Sequence, residues 1–194
     1  MNIRIRQMTE TAILIALAVL LDLLFKAIPI LKMPTGGSFS LTMLPLIING
    51  YRNGLKWGII SGLAYAVINF ALDGYYWHWG SIVFDYLLAF GLLGLTGLFK
   101  NLGRRKPIYI FGIIFVCFLR YLCHSLSGVI FFSSYAEDWF TENPTSFAYG
   151  SVFLYSFVIY NGPYMLANTI GCLIASLALY RFIYPVKKVY NGNK

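Results

Sequence analysis

Long apolar stretches, separated by short polar ones, run through the whole sequence. The hydrocarbon core of a bilayer is about 30 Å thick, and about 20 apolar helical residues cross it. The pattern predicts an all-α integral membrane protein, a six-transmembrane-helix bundle in which the second helix is short and the last is too long for one span. The predicted helices cover about residues 9–31, 41–50, 54–72, 80–99, 107–132 and 147–184.

Composition agrees with a membrane domain. Hydrophobic residues make up 59% of the 194 residues and charged residues 11%, with a mean hydropathy of +0.70. A soluble domain carries about 25% charged residues. The first apolar stretch is too long for the core of a cleavable signal peptide and has no small-residue cleavage site after it. We therefore expect it to stay as a transmembrane helix of a single domain, residues 1–194.

Basic residues indicate the orientation of this bundle, because cytoplasmic loops carry an excess of Lys and Arg. With the N-terminus in the cytoplasm, the inner side holds Arg4, Arg6, Arg52, Lys56, Lys100, Arg104, Arg105, Lys106, Arg181, Lys187, Lys188 and Lys194. The bias predicts that both termini are cytoplasmic. The net charge of +8 is then explained by the lipid bilayer, and no nucleic-acid partner is expected.

Acidic residues show the opposite bias. Asp73, Glu137, Asp138 and Glu142 fall in predicted outer loops, and Asp85 lies near the outer end of the fourth predicted helix. An anionic entrance concentrates cations through its electric field. The alternative is that the acids only keep these loops soluble, and the charge pattern alone leaves both interpretations open.

Groups suited to binding a ligand gather at the predicted outer ends of the last three helices. The stretch YYWHWGSIVFDY, residues 75–86, combines aromatic rings with the carboxylate of Asp85. His124 and Gly128 are four residues apart and share a helix face. Asn161 lies within YSFVIYNGPY, among Tyr155, Tyr160 and Tyr164.

This combination favours a cationic, planar, heteroaromatic ligand. Aromatic faces attract a desolvated cation, a carboxylate neutralises it, and buried carboxamide and imidazole groups need hydrogen-bond partners. The alternative is that the aromatics form an interfacial belt and that Asn161 and His124 join helices. A belt does not explain a carboxylate at position 85.

No enzyme signature occurs in the sequence. We find no nucleophile elbow, HExxH motif or Walker A motif, so we predict a protein that is not an enzyme and has neither a metal site nor a cofactor. Cys117, Cys123 and Cys172 lie in apolar runs without metal-like spacing and are expected to be buried thiols. Uptake would need energy from partners or from an ion gradient.

Two further features concern helix packing. Asp22 and Arg120 lie at similar predicted depth, and an unpaired charge there is costly, so we predict a structural Asp22–Arg120 pair. Ala12 and Ala16 form a small-xxx-small stripe that lets another helix approach closely. That helix belongs either to this bundle or to a partner.

Four segments resemble the thiamine-specific substrate-binding components of energy-coupling factor (ECF) vitamin importers. They are PTGGSFSLTMLPL, FDYLLAFGLLGLTGLFK, LRYLCHSLSGVIFFSSYA and YNGPYML. The resemblance implies a six-helix bundle of the bacterial cell membrane that binds thiamine from outside with high affinity. It also implies an ECF module as partner, made of two ATPases and one transmembrane coupling protein that contacts Ala12 and Ala16. The loop after the first helix closes over the site in this family.

The resemblance also implies roles for individual residues. Asp85 and Tyr86 match acidic and tyrosine positions of the family's site, Tyr75 a ring from the preceding loop, and His124 and Asn161 ligand contacts. The remaining residues predicted to bind the ligand are Gly128, Phe132 and Tyr155.

Two positions depart from the family pattern. Phe132 stands where the family can have Trp, and Tyr155 is six residues before Asn161 rather than five. One residue rotates a helical side chain by about 100°, so either a helical bulge restores Tyr155 or another tyrosine replaces it. A related component for another vitamin or for a thiamine precursor is the alternative function. A membrane enzyme or a structural bundle is a weaker one.

Overall fold

The computed structural model describes residues 2–184, apart from the side chain of Asp73. Lys187, Lys188 and Lys194, assigned above to the inner side, lie outside the described residues. The described part is helical apart from an isolated bridge between Lys32 and Ser38. Its helices are α1 (Ile3–Lys26), α2 (Met43–Asn53), α3 (Leu55–Asp73), α4 (Trp79–Phe99), α5 (Lys106–Phe131), α6 (Ser133–Glu142), α7 (Val152–Ala178) and α8 (Tyr180–Ile183).

Five helices of the described chain, α1, α3, α4, α5 and α7, are long and apolar enough to cross a membrane. The α2 helix has 11 residues, and at 1.5 Å per residue it is about 16 Å long, roughly half the hydrocarbon thickness. Every α2 residue except Arg52 is buried. A helix that is apolar on all sides belongs in a core, and α2 is the centre around which α1, α3 and α4 pack.

Glycines allow α3 and α4 to approach closely beside α2. A Cβ atom at Gly94 would lie 2.3 Å from the carbonyl carbon of Gly58, and one at Gly62 would lie 2.2 Å from the carbonyl oxygen of Phe90. Thr96 of α4 donates a hydrogen bond to the carbonyl oxygen of Ile47 in α2. Close backbone packing through small residues is typical of membrane bundles, and it gives the site a rigid support.

Both α4 and α7 contain a π-helical turn. The turn in α4 covers Val83–Leu88 and the turn in α7 covers Tyr155–Tyr160. A π turn admits an extra residue and occurs frequently at functional sites. The two turns hold Asp85, Tyr86 and Tyr155, three of the predicted ligand-binding residues.

The loop between α1 and α2 lies against α7. Gly36 and Gly37 have φ angles of 117° and 73°, which side chains with a Cβ rarely adopt. A Cβ at Gly37 would also lie 2.5 Å from the ring of Tyr164. The amide of Asn168 accepts from the Ser40 N–H at 2.7 Å and donates to the Ser38 carbonyl at 3.2 Å. The loop is therefore attached to the helix that carries Asn161.

Several helix ends differ from the predictions. The first helix ends at Lys26 rather than residue 31, because Pro29 disfavours helical geometry at the residue before it. The last begins at Val152 rather than residue 147, after a turn in which Gly150 has a φ of 75°. The α6 helix was not predicted, since its sequence is mostly polar and aromatic and lacks a long apolar run.

The predicted Asp22–Arg120 pair is wrong. Asp22 accepts hydrogen bonds from Lys26 Nζ at 2.7 Å and from Asn69 Nδ2 at 2.9 Å. The Arg120 guanidinium lies over the ring of Phe90, 4.0 Å from its centroid. Similar depth did not make the two residues neighbours, because α1 packs mainly on α2 and α3. The predicted burial of Cys117, Cys123 and Cys172 is confirmed.

Candidate ligand-binding site

A cavity of about 250 Å³ opens between α4, α5 and α7, at the end of the bundle predicted to face outward. The structure brings all the predicted ligand-binding side chains to this one cavity. Its lining includes Tyr75, Asp85, Tyr86, His124, Gly128, Phe132, Tyr155 and Asn161. Four further residues, which were not among the predicted ligand-binding set, complete it: Tyr135, Ser156, Tyr160 and Tyr164.

Asp85 supplies the negative charge in the cavity, and two residues of α5 fix its carboxylate. His124 Nδ1 lies 2.8 Å from one carboxylate oxygen, and the Ser127 hydroxyl donates to the other at 2.5 Å. The side chains of Asp85 and His124 keep 19% and 14% of their surface exposed. The carboxylate is thus oriented by the protein while still open to the cavity.

The bond to Asp85 also determines what His124 offers to a ligand. When Nδ1 donates its proton to an ionised carboxylate, a neutral imidazole has an acceptor at Nε2. His124 Nε2 is buried and has no hydrogen-bond partner among the described residues. A buried acceptor of this kind is costly unless a partner satisfies it. The imidazole is therefore prepared to accept a hydrogen bond from an N–H or O–H group.

Asn161 is held by its own helix. Its Nδ2 donates to the Ser156 carbonyl at 2.9 Å, and its Oδ1 accepts from the Tyr164 hydroxyl at 2.8 Å. The Ser156 hydroxyl in turn donates to the Ser125 carbonyl of α5 at 2.7 Å. Gly128 permits this contact, because a Cβ there would lie 2.2 Å from Ser156 Oγ. The carboxamide is positioned by a network that joins α5 to α7.

The π turn in α7 resolves the unusual spacing between Tyr155 and Asn161. The wide turn over Tyr155–Tyr160 accommodates the additional residue, and Tyr155 lines the cavity. Tyr160 and Tyr164 line it too. Both structural alternatives raised by the sequence, a bulge and additional tyrosines, are therefore present together.

Aromatic rings form one wall and the entrance of the cavity. Tyr75 stacks on Phe132, with centroids 6.2 Å apart and planes at 27°, and its hydroxyl is hydrogen-bonded to that of Tyr135. The Tyr86 hydroxyl accepts from the Tyr75 N–H at 2.8 Å, so the loop before α4 is tied to the site. Trp77 and Trp79 are exposed instead, by 64% and 72%.

Ser127, Ser156 and Tyr135 shape the site although sequence analysis did not predict them. Ser127 follows His124 by three residues, so helical periodicity placed it on the same face. Ser156 depends on the π turn, and Tyr135 depends on the unpredicted helix α6. Only the first of the three had a signal that local sequence could reveal.

The predicted partner-binding residues lie elsewhere. Ala12 and Ala16 are exposed on α1, away from the cavity. In the most apolar 18-residue window of α1, only 17% of the residues are buried within the described structure. The stripe therefore does not serve packing inside this bundle, and it faces either lipid or another chain.

Comparison with known proteins identifies the family. The family model for the thiamine transporter protein (Thia_YuaJ) matches residues 8–188. Thiamine transporter ThiT of Bacillus subtilis (strain 168) is 31% identical over 185 residues, which cover 90% of each chain. The structure of ThiT from Listeria monocytogenes is 23% identical and has the same fold, with a TM-score of 0.75 over 93% of this chain and 96% of that one. The chain therefore belongs to the thiamine transporter protein family and is a multi-pass protein of the bacterial plasma membrane.

Proposed function

We propose that this protein is the high-affinity thiamine-binding subunit of an ATP-driven importer of the ECF type. It captures thiamine at the extracellular side and delivers it together with an ECF module of two ATPases and one transmembrane coupling protein. The observation that carries the proposal is the carboxylate of Asp85, fixed by His124 and Ser127 inside a cavity walled by aromatic rings.

The chemistry of thiamine matches the cavity group by group. Its thiazolium ring is a permanent cation, which Asp85 neutralises and the faces of Tyr75 and Phe132 attract. Its aminopyrimidine ring offers an amino group to the unpartnered Nε2 of His124. The Asn161 carboxamide, held by Ser156 and Tyr164, is placed to contact the edge of the same ring. An anionic vitamin would instead be repelled by Asp85.

The rest of the molecule is consistent with a binding subunit that relies on partners. In our proposal the chain is a six-helix bundle with both termini in the cytoplasm, and it carries no catalytic activity of its own. The loop over α7 opens to admit thiamine and then covers it. The exposed stripe at Ala12 and Ala16 docks the coupling protein, whose ATPases supply the energy.

Calorimetry with a vitamin panel tests the ligand. Purified protein in detergent is titrated with thiamine, the separate pyrimidine and thiazole precursors, riboflavin, biotin and folate. We expect saturable heat from thiamine at nanomolar concentration and weaker binding of each precursor, because each presents only half of the contacts. A stronger response to a precursor or to another vitamin would replace thiamine as the ligand while keeping the transport role. No response to any of them would count against a vitamin-binding subunit.

A further inference from the structure

A second, larger cavity adjoins the proposed thiamine site. It measures about 440 Å³ and lies between the α1–α2 loop and helices α3, α4, α5 and α7. Five of its lining residues also line the first cavity: Asp85, Tyr86, His124, Tyr160 and Tyr164. A ligand bound in the first cavity can therefore extend a substituent into the second.

Arg120 is the distinctive group in this second cavity. It lies on α5 one turn from His124, and its guanidinium packs on Phe90. Its Nε and Nη1 atoms are buried and have no hydrogen-bond partner among the described residues. No carboxylate whose side chain the structure describes forms a salt bridge with it. The ring of Phe90 offsets part of the cost of burying this charge, but it satisfies none of the N–H donors.

The other charged groups of the cavity already have partners. Asp22 is paired with Lys26 and Asn69, and Asp85 is bonded to His124 and Ser127. Among the described side chains, the charge of Arg120 is therefore the uncompensated one. Buried guanidinium groups with free donors are suited to carboxylate and phosphate oxygens, which accept two N–H bonds at once.

Hydroxyl and amide groups make the remainder of the cavity polar. Ser38, Ser40, Thr42, Asn69 and Asn168 line it. Polar walls of this kind tolerate a hydrated or hydrogen-bonding group where an apolar pocket would not. The cavity thus combines one uncompensated cation with a polar surround, next to a site for a positively charged ring system.

The geometry points to an anion subsite at Arg120 that receives a phosphate group. Resting on the proposed function, this subsite makes a phosphate monoester of thiamine a ligand of the protein as well as the free alcohol. The phosphate group would accept from Nε and Nη1 of Arg120 while the ring system stays between Asp85 and the aromatic wall. Asp85 and Arg120 would then neutralise the two opposite charges of one ligand.

Calorimetry on three proteins tests the subsite. Wild type, Arg120→Gln and Lys32→Gln are each titrated with thiamine, thiamine monophosphate and inorganic phosphate. Lys32 is an exposed cation that lines neither cavity, so its variant matches the change in net charge. We expect Arg120→Gln to weaken monophosphate binding about tenfold or more and thiamine binding about threefold or less, since hydrogen bonds to charged groups are the stronger ones. Lys32→Gln should change neither.

Other outcomes separate this inference from the proposed function. Equal losses for thiamine and its monophosphate would overturn the subsite, because Arg120 would then support the pocket as a whole. Unchanged or undetectable monophosphate binding would overturn it as well, while leaving thiamine binding in place. If wild type failed to bind thiamine, the proposed function would fall. In that case, phosphate binding that disappears in Arg120→Gln would still support the anion site, and its absence would overturn both.

Discussion

At the scale of single residues, the site depends on a few polar groups whose partners are fixed. Asp85 is held by His124 and Ser127, and Asn161 by Ser156 and Tyr164. Because these bonds are made within the protein, little reorganisation is required when a ligand enters. Preorganisation of this kind raises affinity by lowering the entropic cost of binding.

Replacing Asp85 by Asn tests the charge pairing directly. Asn has nearly the same shape but no charge, so thiamine affinity should fall about 10- to 100-fold, in the range of a charged hydrogen bond. An uncharged thiamine analogue, in which a neutral ring replaces the thiazolium, should lose much less. Calorimetry with both ligands measures the difference. Asp138→Asn, in α6 and outside the cavity, is the matched control. Equal losses for the two ligands would argue against pairing between Asp85 and the cation.

Residue types and approximate depth were predictable from the sequence, but pairing was not. Asp85, His124 and Asn161 are conspicuous because polar groups in apolar helices are rare. Asp22 and Arg120 were equally conspicuous, yet Asp22 is paired with Lys26 of its own helix. Depth along a helix follows from sequence, whereas neighbours depend on which helices pack together.

At the scale of helices, the two π turns determine where the side chains of the site point. Each lies in the part of α4 or α7 that borders the cavity. Hydropathy located both helices but contains no information on a π turn, because one additional residue changes the average very little. The only sign in the sequence was the six-residue interval between Tyr155 and Asn161.

Deleting Val158 tests the role of the π turn in α7. Val158 is 47% exposed and does not line the cavity, so its side chain contributes no ligand contact. Removing one residue should convert the turn to regular α-helix and rotate Tyr155 by about 100° relative to Asn161. We expect thiamine affinity to fall by about 100-fold, a loss of about 2.7 kcal/mol, while the protein still purifies as a folded monomer. Val158→Ala, which keeps the chain length, should bind normally. Normal binding by the deletion variant would show that the turn is dispensable.

At the scale of the whole molecule, the binding cavity and the exposed stripe are on different parts of the bundle. The cavity is enclosed by α4, α5 and α7, whereas Ala12 and Ala16 lie on α1. A rigid centre formed by α2, with α3 and α4 in close backbone contact, lies between them. This separation lets one chain bind a ligand and a partner independently.

Substituting Ala12 and Ala16 together by Trp tests that separation. Bulky rings on an exposed helix face should leave thiamine binding within about twofold of wild type, since additivity holds for distant sites. Uptake of labelled thiamine by cells should be lost, because the coupling protein can no longer approach α1 closely. Calorimetry and an uptake assay give the two readouts. The same substitutions at Ile13 and Leu17, which are 62% and 41% exposed, are the control for added bulk. Loss of binding would place the stripe inside the bundle.

The distribution of tryptophan has a spectroscopic consequence. Trp139 lies 5.2 Å from the ring of Tyr155, and Trp77 lies 6.4 Å from that of Tyr135, while both tyrosines line the cavity. Trp57, hydrogen-bonded to Gln7 near the N-terminus, is remote from it. Each of the two nearby indoles is thus one ring removed from the ligand. Their fluorescence emission would report movement of the lining tyrosines rather than direct contact, which makes the unlabelled protein its own sensor of occupancy.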